Sequence, residues 1–406
     1  MGTAATSTLG AFDVEGIDFA FDDIPDLHGV LADLRRRRPW AVVPFATTPG
    51  LLLLTNELVS AAFKDDEAFP APTAYTMTTQ ATMGRSILCM SGREHRMNRS
   101  ILSSPLRRKQ IADYRESIIE PVIHELIDQF AGRGDAELVS EFTHRYSLLI
   151  ISRMIGLPVT DEAQIFQWAQ GLIHYPLDPA GAVHAAGEFT EYLTPLIEQR
   201  RRDPGQDMIS LLVTATSDEG ESLPDESILA FLRMLFPLGA DTTMLALGNI
   251  LTALLMNPDQ LDLLRSDPAE HLEWAVWEGL RFEPSVGLLP RACPEAVTWH
   301  GIDIPAFTPV IFSINAANRD PQVYPRPDDF DITRKVTAMT SFGQGAHSCI
   351  GNWLAMAEIS TALGALIDRL PNLRLQPELA HTVKSTSQVG TALRGPNTLP
   401  VLFDPA

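Results

Sequence analysis

Apolar residues recur at helical spacing through most of the chain, so the sequence predicts a mainly α-helical protein with small β-sheets. Apolar runs on either side of Thr47–Gly50 predict a β-hairpin, because Pro-Gly is a turn signal. The periodicity is lost over 70–88 and again over 171–179, so we expect loops there. The segments predicted as helices are 27–38, 112–131, 140–155, 161–172, 183–202, 222–257 and the stretch after Asn352. The segments predicted as strands are 40–45, 51–54, 297–301 and 310–312.

The longest helical segment, 222–257, is apolar nearly all round. A helix of about 33 residues is roughly 50 Å long. After its first turns, its only charged residues are Arg233 and Asp241, which is typical of a helix buried in a large core. A membrane span is the competing interpretation, and these charges together with Pro237 and Asn249 disfavour it. A carboxylate in such a helix is costly unless it is paired or used, so Asp241 is a candidate functional residue.

Composition adds limits on domain organisation and cellular location. The chain has 406 residues, of which 45% are hydrophobic and 20% charged, and it contains neither a Gly/Ser-rich linker nor a repeat. We therefore expect residues 1–406 to form a single domain. The start of the chain lacks the basic and apolar runs of a signal peptide, which predicts a cytoplasmic protein. The three cysteines are widely spaced and odd in number, which fits a reducing compartment: Cys89, Cys293 and Cys349.

Charge disfavours one class of partner and suggests another. The formal net charge of -20 disfavours nucleic acid, whose affinity comes from cations that neutralise phosphate. Between Arg93 and Lys109, however, six basic residues stand against the single acid Glu94. This basic segment is either a solvated helix face or a docking site for an acidic protein.

The stretch Phe342–Gly351 is the one place where residue types and spacing together dictate a chemistry. Gly343 and Gly345 permit backbone conformations that a side chain would forbid. Cys349 lies at the N-terminus of the last predicted helix, where the helix dipole favours a thiolate. A thiolate can attack carbon or bind a metal. A ligand is favoured, because His347 on a glycine-rich turn is not obviously aimed at the sulfur as a catalytic base.

This stretch, followed by Leu354, Ala355 and Glu358, resembles the haem-ligand loop of the cytochrome P450 family. The resemblance implies a cytochrome P450 fold with haem b buried between the long central helix and the helix after Cys349. It further implies that Cys349 is the axial thiolate ligand of the iron and that Phe342 and Gly343 contact the cofactor. The alternative without a cofactor is a buried structural cysteine after a glycine-rich turn.

The long helix carries a second family-like motif, Gly239–Thr243, which resembles the oxygen-activation motif. The resemblance implies that Asp241 and Thr242 deliver protons and that Gly239 lies against the cofactor. Pro237 and Leu238 depart from the residues usual at their positions, which affects the expected geometry of the groove rather than the acid and the alcohol.

The same resemblance assigns side chains to the haem propionates and to the scaffold. His95 and Arg99 are four residues apart and so share one helix face, and an Arg can bind a carboxylate with two donors. A surface helix with scattered bases is the alternative. The implied propionate ligands are His95, Arg99, Arg291 and His347. The implied structural ion-pair network is Glu278, Arg281 and Arg334.

The implied function is a monooxygenase that uses O₂ and two electrons to hydroxylate, dealkylate or epoxidise a small, mostly apolar organic substrate. No flavin or nicotinamide module is visible, so a ferredoxin and a separate NAD(P)H reductase are the expected partners, without nucleic acid or membrane. The expected pocket residues are Tyr75, Met77, Met83, Leu235, Leu238, Val286, Leu288 and Leu289. The 70–88 loop is expected over the distal side of the haem and 171–179 as a lid.

Three rival functions remain open at the level of sequence. A haem-binding sensor or carrier, or a peroxide-driven haem-thiolate enzyme, would not need the acid and alcohol in the long helix. A hydrolase using Cys349 and His347 would contain no haem and would be colourless.

Overall fold

The computed structural model describes residues 9–158, 161–173, 175, 177–217, 220–389 and 391–405. The chain is mostly helical (55%) with small sheets, which confirms the predicted fold class. Two residues of the expected lid, His174 and Pro176, lie outside the described residues.

The helices of the described residues are α1 (Leu27–Arg37), α2 (Asn56–Lys64), α3 (Ala71–Thr78), α4 (Gln80–Met83), α5 (Gly92–Leu102), α6 (Arg108–Tyr114), α7 (Glu120–Ile127), α8 (His144–Ile155), α9 (Glu162–Ile173), α10 (Pro179–Arg202), α11 (Met208–Thr214), α12 (Asp225–Met256), α13 (Pro258–Ser266), α14 (Pro268–Phe282), α15 (Ile314–Asn318) and α16 (Asn352–Arg369). Two π-helical segments are Arg115–Ile119 and Val139–Thr143. Short 3₁₀ helices are Ile87–Cys89, Ser104–Leu106 and Ala380–Thr382.

The strands are β1 (Trp40–Phe45), β2 (Thr48–Leu53), β3 (Asp135–Glu137), β4 (Leu288–Ala292), β5 (Val297–Trp299), β6 (Ile302–Ile304), β7 (Pro309–Ser313), β8 (Arg374–Leu375), β9 (Ser385–Val389), β10 (Leu393–Pro396) and β11 (Pro400–Leu402). The largest sheet has the order β1-β2-β7-β4, in which β2 and β7 are parallel and the other pairs antiparallel. Small antiparallel sheets pair β5 with β6, β9 with β10, and β11 with both β3 and β8.

The predicted hairpin forms, but its turn lies earlier than Thr47–Gly50. Pro49 and Gly50 belong to β2, and the turn residues are Ala46 and Thr47, with φ of 49° and 64°. Positive φ at both central residues matches the right-handed twist of the strands in a two-residue hairpin. The carboxylate of Asp18 accepts hydrogen bonds from both turn N–H groups, at 2.9 and 2.7 Å. A distant acceptor therefore moves the turn away from the local Pro-Gly signal.

The prediction of a loop over 70–88 is wrong, because the segment folds into α3, α4 and a 3₁₀ helix. Proline is tolerated in the first turn of α3, where its missing N–H would have no partner. The threonines bond back onto their own helices: Thr78 Oγ1 donates to the carbonyl of Ala74 at 3.0 Å and Thr79 Oγ1 to that of Tyr75 at 3.2 Å. Short helices satisfied in this local way need no regular apolar stripe.

The long helix α12 runs through the core as predicted and continues past Pro237. It packs against α8, α9, α14, α16 and β10. Among the described residues, α12 is the one helix long and apolar enough to cross a membrane, and 78% of its most apolar window is buried inside the protein. Its apolar character is thus explained by packing in the core, which brings α12 against α16, the helix that follows Cys349.

Candidate active site

The Cys349 loop is shaped by two glycines in the left-handed region. Gly343 and Gly345 have φ of 62° and 72°, where an L side chain is strained. A Cβ on Gly345 would lie 2.5 Å from the carbonyl oxygen of Phe63, so the loop and the end of α2 can approach this closely only with glycine. The loop then closes on itself through a hydrogen bond from the Cys349 N–H to the Phe342 carbonyl at 2.8 Å.

Substituting Gly345 by alanine is expected to lower the free energy of unfolding by about 2–4 kcal/mol, through left-handed strain and the clash with the Phe63 carbonyl. Urea unfolding of the holoprotein measures the change. Gly351→Ala in the same loop is the matched control, because its φ is -95° and a Cβ there would meet nothing within 4 Å. Equal losses in the two variants would show that the close approach to Phe63 does not shape the loop.

Cys349 is an exposed residue, yet the protein atoms around its thiol desolvate it. Burial raises the pKa of the thiol, while a hydrogen bond from the Gly351 N–H and the charge of Arg99 act in the opposite direction. Desolvation is thus the largest influence on the pKa of this thiol, and the expectation that the helix N-terminus favours a thiolate stays a prediction. A coordinated metal ion would supply the charge that deprotonates the sulfur.

Two buried imidazoles face each other beside this loop without hydrogen-bond partners. The rings of His95 and His347 lie 4.1 Å apart, and the Nε2 atom of each is buried and unpartnered in the described structure. Burial is the main cause that lowers the pKa of His347 to about 3, and His95, Arg291 and Arg99 lower it further. The rings and the guanidinium groups of Arg99 and Arg291 thus lie close together, and the acidic group beside them, Asp66 Oδ1, is 3.8 Å from His347 Nε2, beyond hydrogen-bond distance. This donor set fits carboxylate groups of a cofactor.

Two arginines, one on α5 and one on β4, complete the donor set. On α5, Arg99 donates through Nη2 to the carbonyl of Ser348 at 2.6 Å, which ties α5 to the Cys349 loop. On β4, Arg291 is 6% exposed and donates through Nη1 to the Tyr75 hydroxyl at 3.0 Å. Tyr75, expected as a pocket contact, is therefore a partner of Arg291 in this structure. The four predicted propionate ligands come from three parts of the chain: α5 carries His95 and Arg99, β4 carries Arg291, and the Cys349 loop carries His347.

On α12, the acid and the alcohol of the Gly239–Thr243 motif have different partners. The Asp241 carboxyl is 4% exposed, and its Oδ1 accepts a hydrogen bond from Gln170 Nε2 at 3.1 Å. Burial raises the pKa of Asp241 to about 7, which the bond from Gln170 opposes. The half-buried Thr242 donates through Oγ1 to the carbonyl of Leu238 at 2.7 Å. A side chain bonded to the carbonyl four residues earlier tends to bend a helix at that point.

Helix α8 holds the same part of α12 with two hydroxyl groups. Ser147 Oγ donates to the carbonyl of Ala240 at 2.7 Å, and the Tyr146 hydroxyl donates to that of Thr243 at 3.2 Å. Gly239 also faces this helix, since a Cβ there would lie 3.4 Å from Ile151. The sequence did not point to Gln170, Ser147 or Tyr146, because all three act across helices that are distant in sequence.

Comparison with known proteins identifies the family. The family model described as Cytochrome P450 matches residues 151–393, more than half of the chain. The chain belongs to the cytochrome P450 family. CYP107DY1 of Priestia megaterium is 33% identical over 321 residues, covering 78% of this chain and 77% of that protein. The vitamin D(3) 25-hydroxylase of Pseudonocardia autotrophica is 31% identical over 389 residues, covering 93% and 94%.

Solved structures agree with this assignment. The structure of CYP109Q5 from Chondromyces apiculatus matches with a TM-score of 0.85 at 26% identity, covering 94% of this chain and 96% of that chain. The protein is therefore a P450 monooxygenase with a protoporphyrin IX haem, and the Cys349 thiolate is the axial ligand of the iron. The unpartnered Nε2 atoms of His95 and His347 and the free state of Cys349 are consistent with that cofactor.

In this P450 a buried ion pair anchors the segment that leads to the Cys349 loop. Arg281 donates through Nε and Nη2 to the two carboxylate oxygens of Glu278, both at 2.7 Å, and both side chains are 0% exposed. Arg334 Nε adds a third bond to Glu278 at 3.2 Å. The structure thus brings together the three residues named from the sequence.

The network continues from the ion pair to the loop through Asn318, which sequence reasoning did not single out. Arg281 Nη1 donates to the carbonyl of Asn318 at 3.0 Å. The side chain of Asn318 accepts from the N–H of Thr340 at 2.9 Å and donates to Ser341 Oγ at 2.8 Å. Ser341 directly precedes Phe342, so the ion pair fixes the start of the Cys349 loop.

The expected pocket residues differ in how deeply the structure buries them. Met83 and Leu235 are buried in the main core, and Leu238 and Val286 are half-buried against it. Leu289 is half-buried against a second, smaller cluster. Met77 is 65% exposed, and its assignment as a pocket contact stays a prediction. Leu288 is wrongly assigned, because it packs with the residues under α1. Alternate residues of a strand face opposite sides, so Leu289 shares the face of Arg291 while Leu288 does not.

Proposed function

We propose that this P450 inserts one oxygen atom of O₂ into a small, mostly apolar substrate, using two electrons from a ferredoxin and a separate NAD(P)H reductase. The observation that carries the proposal is the buried carboxyl of Asp241 beside Thr242 in α12. A charged carboxylate is costly in a core helix. A haem sensor, a carrier or a peroxide-driven enzyme would gain nothing from a buried carboxyl group. Proton delivery to a reacting oxygen, by contrast, requires a titratable group of this kind.

When bound, the haem supplies the redox chemistry that activates O₂. The residues of α12 then provide protons at defined atoms. Because burial raises the pKa of Asp241 to about 7, its carboxyl group can take up and release a proton near neutral pH. The Thr242 hydroxyl can rotate away from the Leu238 carbonyl and pass that proton onward. Ser147 and Tyr146 keep the surrounding carbonyls of α12 in place.

The remaining site residues bind and orient. We assign His95, Arg99, Arg291 and His347 to the propionate groups, supported by their unpartnered or convergent donors. Phe342, Gly343 and Gly239 are assigned to contacts with the ring. The apolar side chains of Leu235, Leu238, Val286, Leu289 and Met83 are assigned to the substrate pocket, and their character favours a neutral, apolar compound.

Our proposed ferredoxin-docking face lies near α16, the helix that follows Cys349. It consists of four exposed basic residues and one exposed tryptophan: Arg96, Arg107, Arg108, Lys109 and Trp353. The guanidinium of Arg108 lies 3.7 Å from the centre of the Trp353 ring, and Trp353 is 43% exposed. Trp and Arg are the residues that most often anchor protein interfaces. Cations on a protein of net charge -20 favour an acidic partner at this place. Arg99 is excluded from the face because it is half-buried against Ser348.

Replacing Arg96, Arg107 and Arg108 together by glutamine is expected to weaken binding of an acidic ferredoxin by roughly 10-fold at low salt and to flatten its salt dependence. Surface plasmon resonance over a range of salt concentrations measures both effects. The matched control neutralises three exposed cations elsewhere: Arg36, Arg202 and Lys384. Unchanged affinity and salt dependence in the first triple variant would remove the docking face from the account.

Two broader proposals concern organisation and location. We propose that residues 1–406 form one domain, supported by a main core cluster that includes residues from Met83 to Phe403. We propose a cytoplasmic location, supported by the free state of Cys89, Cys293 and Cys349.

Turnover by the holoprotein with NADH, a ferredoxin and its reductase tests the function. Compounds that shift the haem spin state in a library screen serve as substrates. Oxygenated product formed in a reductase-dependent way is the expected result. Binding without product would indicate a sensor or carrier, and product formed with peroxide but not with the electron-transfer chain would indicate the peroxide-driven enzyme.

A further inference from the structure

The contact between α9 and α12 at Asp241 is made by an uncharged side chain. Gln170 lies near the end of α9, a helix that packs along α12. Its amide Nε2 donates a hydrogen bond to the Asp241 carboxyl at 3.1 Å. Among the described residues, no other side chain makes a hydrogen bond with this carboxyl. A buried acid thus rests against a neutral donor.

The charged and titratable groups on α8 and α12 have other partners. The ring of His144 on α8 stacks on Phe166, and burial lowers its pKa, so it is neutral near pH 7. On α12 itself, Arg233 donates to Thr190 Oγ1 at 3.0 Å and to Glu226 Oε1 at 2.9 Å.

One acid on α9 and one on α10 are likewise engaged away from Asp241. Glu162 at the start of α9 pairs with Arg145, and Glu188 on α10 accepts from Trp168 Nε1 at 3.2 Å. The two influences on the pKa of Asp241 are accordingly burial and the bond from Gln170.

We propose that Gln170 is a positioning residue for the reaction: its uncharged amide fixes the orientation of the Asp241 carboxyl without a counter-charge that would hold the carboxyl ionised. The proposal rests on the proposed function of Asp241. A lysine or arginine at this position would favour the carboxylate and keep it from carrying a proton near neutral pH. An apolar residue would leave the buried carboxyl unpartnered. Glutamine donates a hydrogen bond and leaves the charge state of Asp241 free to change.

Two variants with opposite expected effects test this role: Gln170→Leu and Gln170→Lys. The readout is the infrared band of the protonated Asp241 carboxyl, identified by its loss in Asp241→Asn and followed against pH in the resting holoprotein. Loss of a hydrogen bond to the charged form should raise the titration midpoint by about one pH unit in Gln170→Leu. A cation should lower the midpoint by roughly 1–3 units in Gln170→Lys.

Gln167→Leu is the control, because Gln167 is exposed on the same helix. Its titration midpoint should equal that of the native protein. The pH dependence of product formed per NADH consumed should move with the infrared midpoint in both Gln170 variants. Identical midpoints in all four proteins would overturn the proposal, and so would shifts of the same sign in the Leu and Lys variants. Absence of any product would reject the proposed function, while the infrared titration would still decide the role of Gln170.

Discussion

Replacement of Asp241 by asparagine is expected to lower the rate of product formation by roughly 10²- to 10⁴-fold, the usual contribution of a positioned proton donor. Asparagine keeps the shape and the hydrogen bond to Gln170 but cannot release a proton. Substrate binding, measured as the spin-state shift of the haem, should remain. Because the pKa of Asp241 is about 7, the native rate should fall as pH rises through 7, where the protonated acid is lost, and this limb should be absent in the variant.

The exposed acid Asp259, on α13, provides the control substitution Asp259→Asn, which should keep both the rate and the pH limb. A native pH profile and rate in Asp241→Asn would mean that the buried carboxyl has a structural role only.

The hydroxyl of Thr242 is expected to act after the acid. Thr242→Ala should retain substrate binding but divert electrons from product to hydrogen peroxide or water, which a comparison of NADH consumed with product formed measures. Full coupling in this variant would remove Thr242 from the proton path.

Glu278→Gln is expected to lower the free energy of unfolding by about 3–5 kcal/mol, the cost of leaving a buried charge without its partner. Arg281 is 0% exposed, and it would keep its charge beside a neutral amide. The network through Asn318 to Thr340 should loosen as well, so the variant should also lose haem more readily. Urea unfolding of the holoprotein and transfer of haem to an acceptor protein measure the two effects.

Glu273→Gln on the same helix is the matched control, because Glu273 is exposed and its change should stay within about 0.5 kcal/mol. Similar losses in the two variants would show that the buried pair has no special role in holding the Cys349 loop.

Local spacing was enough to predict the parts of the molecule in which neighbours along the chain act together. The glycine spacing before Cys349, the apolar length of α12 and the i,i+3 relation of Glu278 and Arg281 are all properties of short stretches. The resemblance to the family then led to Arg334, which the structure places against Glu278.

The features that the sequence did not reveal depend on contacts between distant segments. Asp18 changes the position of the hairpin turn, and Gln170 on α9 bonds to Asp241 on α12. Neither residue lies in a sequence pattern that indicates this contact. Leu288 was assigned to the pocket because the face of a strand cannot be known until its pairing is known. The thiol pKa of Cys349 depends on desolvation by the whole fold, which the helix dipole alone does not describe.

We propose that the site formed by Cys349, Asp241 and Thr242 inserts an oxygen atom from O₂ into a substrate. The most direct measurement is mass spectrometry of the product after turnover with isotopically labelled dioxygen, NADH, ferredoxin and reductase. We expect one labelled oxygen atom per product molecule, and far less of the same labelled product from Asp241→Asn. Product that carries only oxygen from water would contradict the claim.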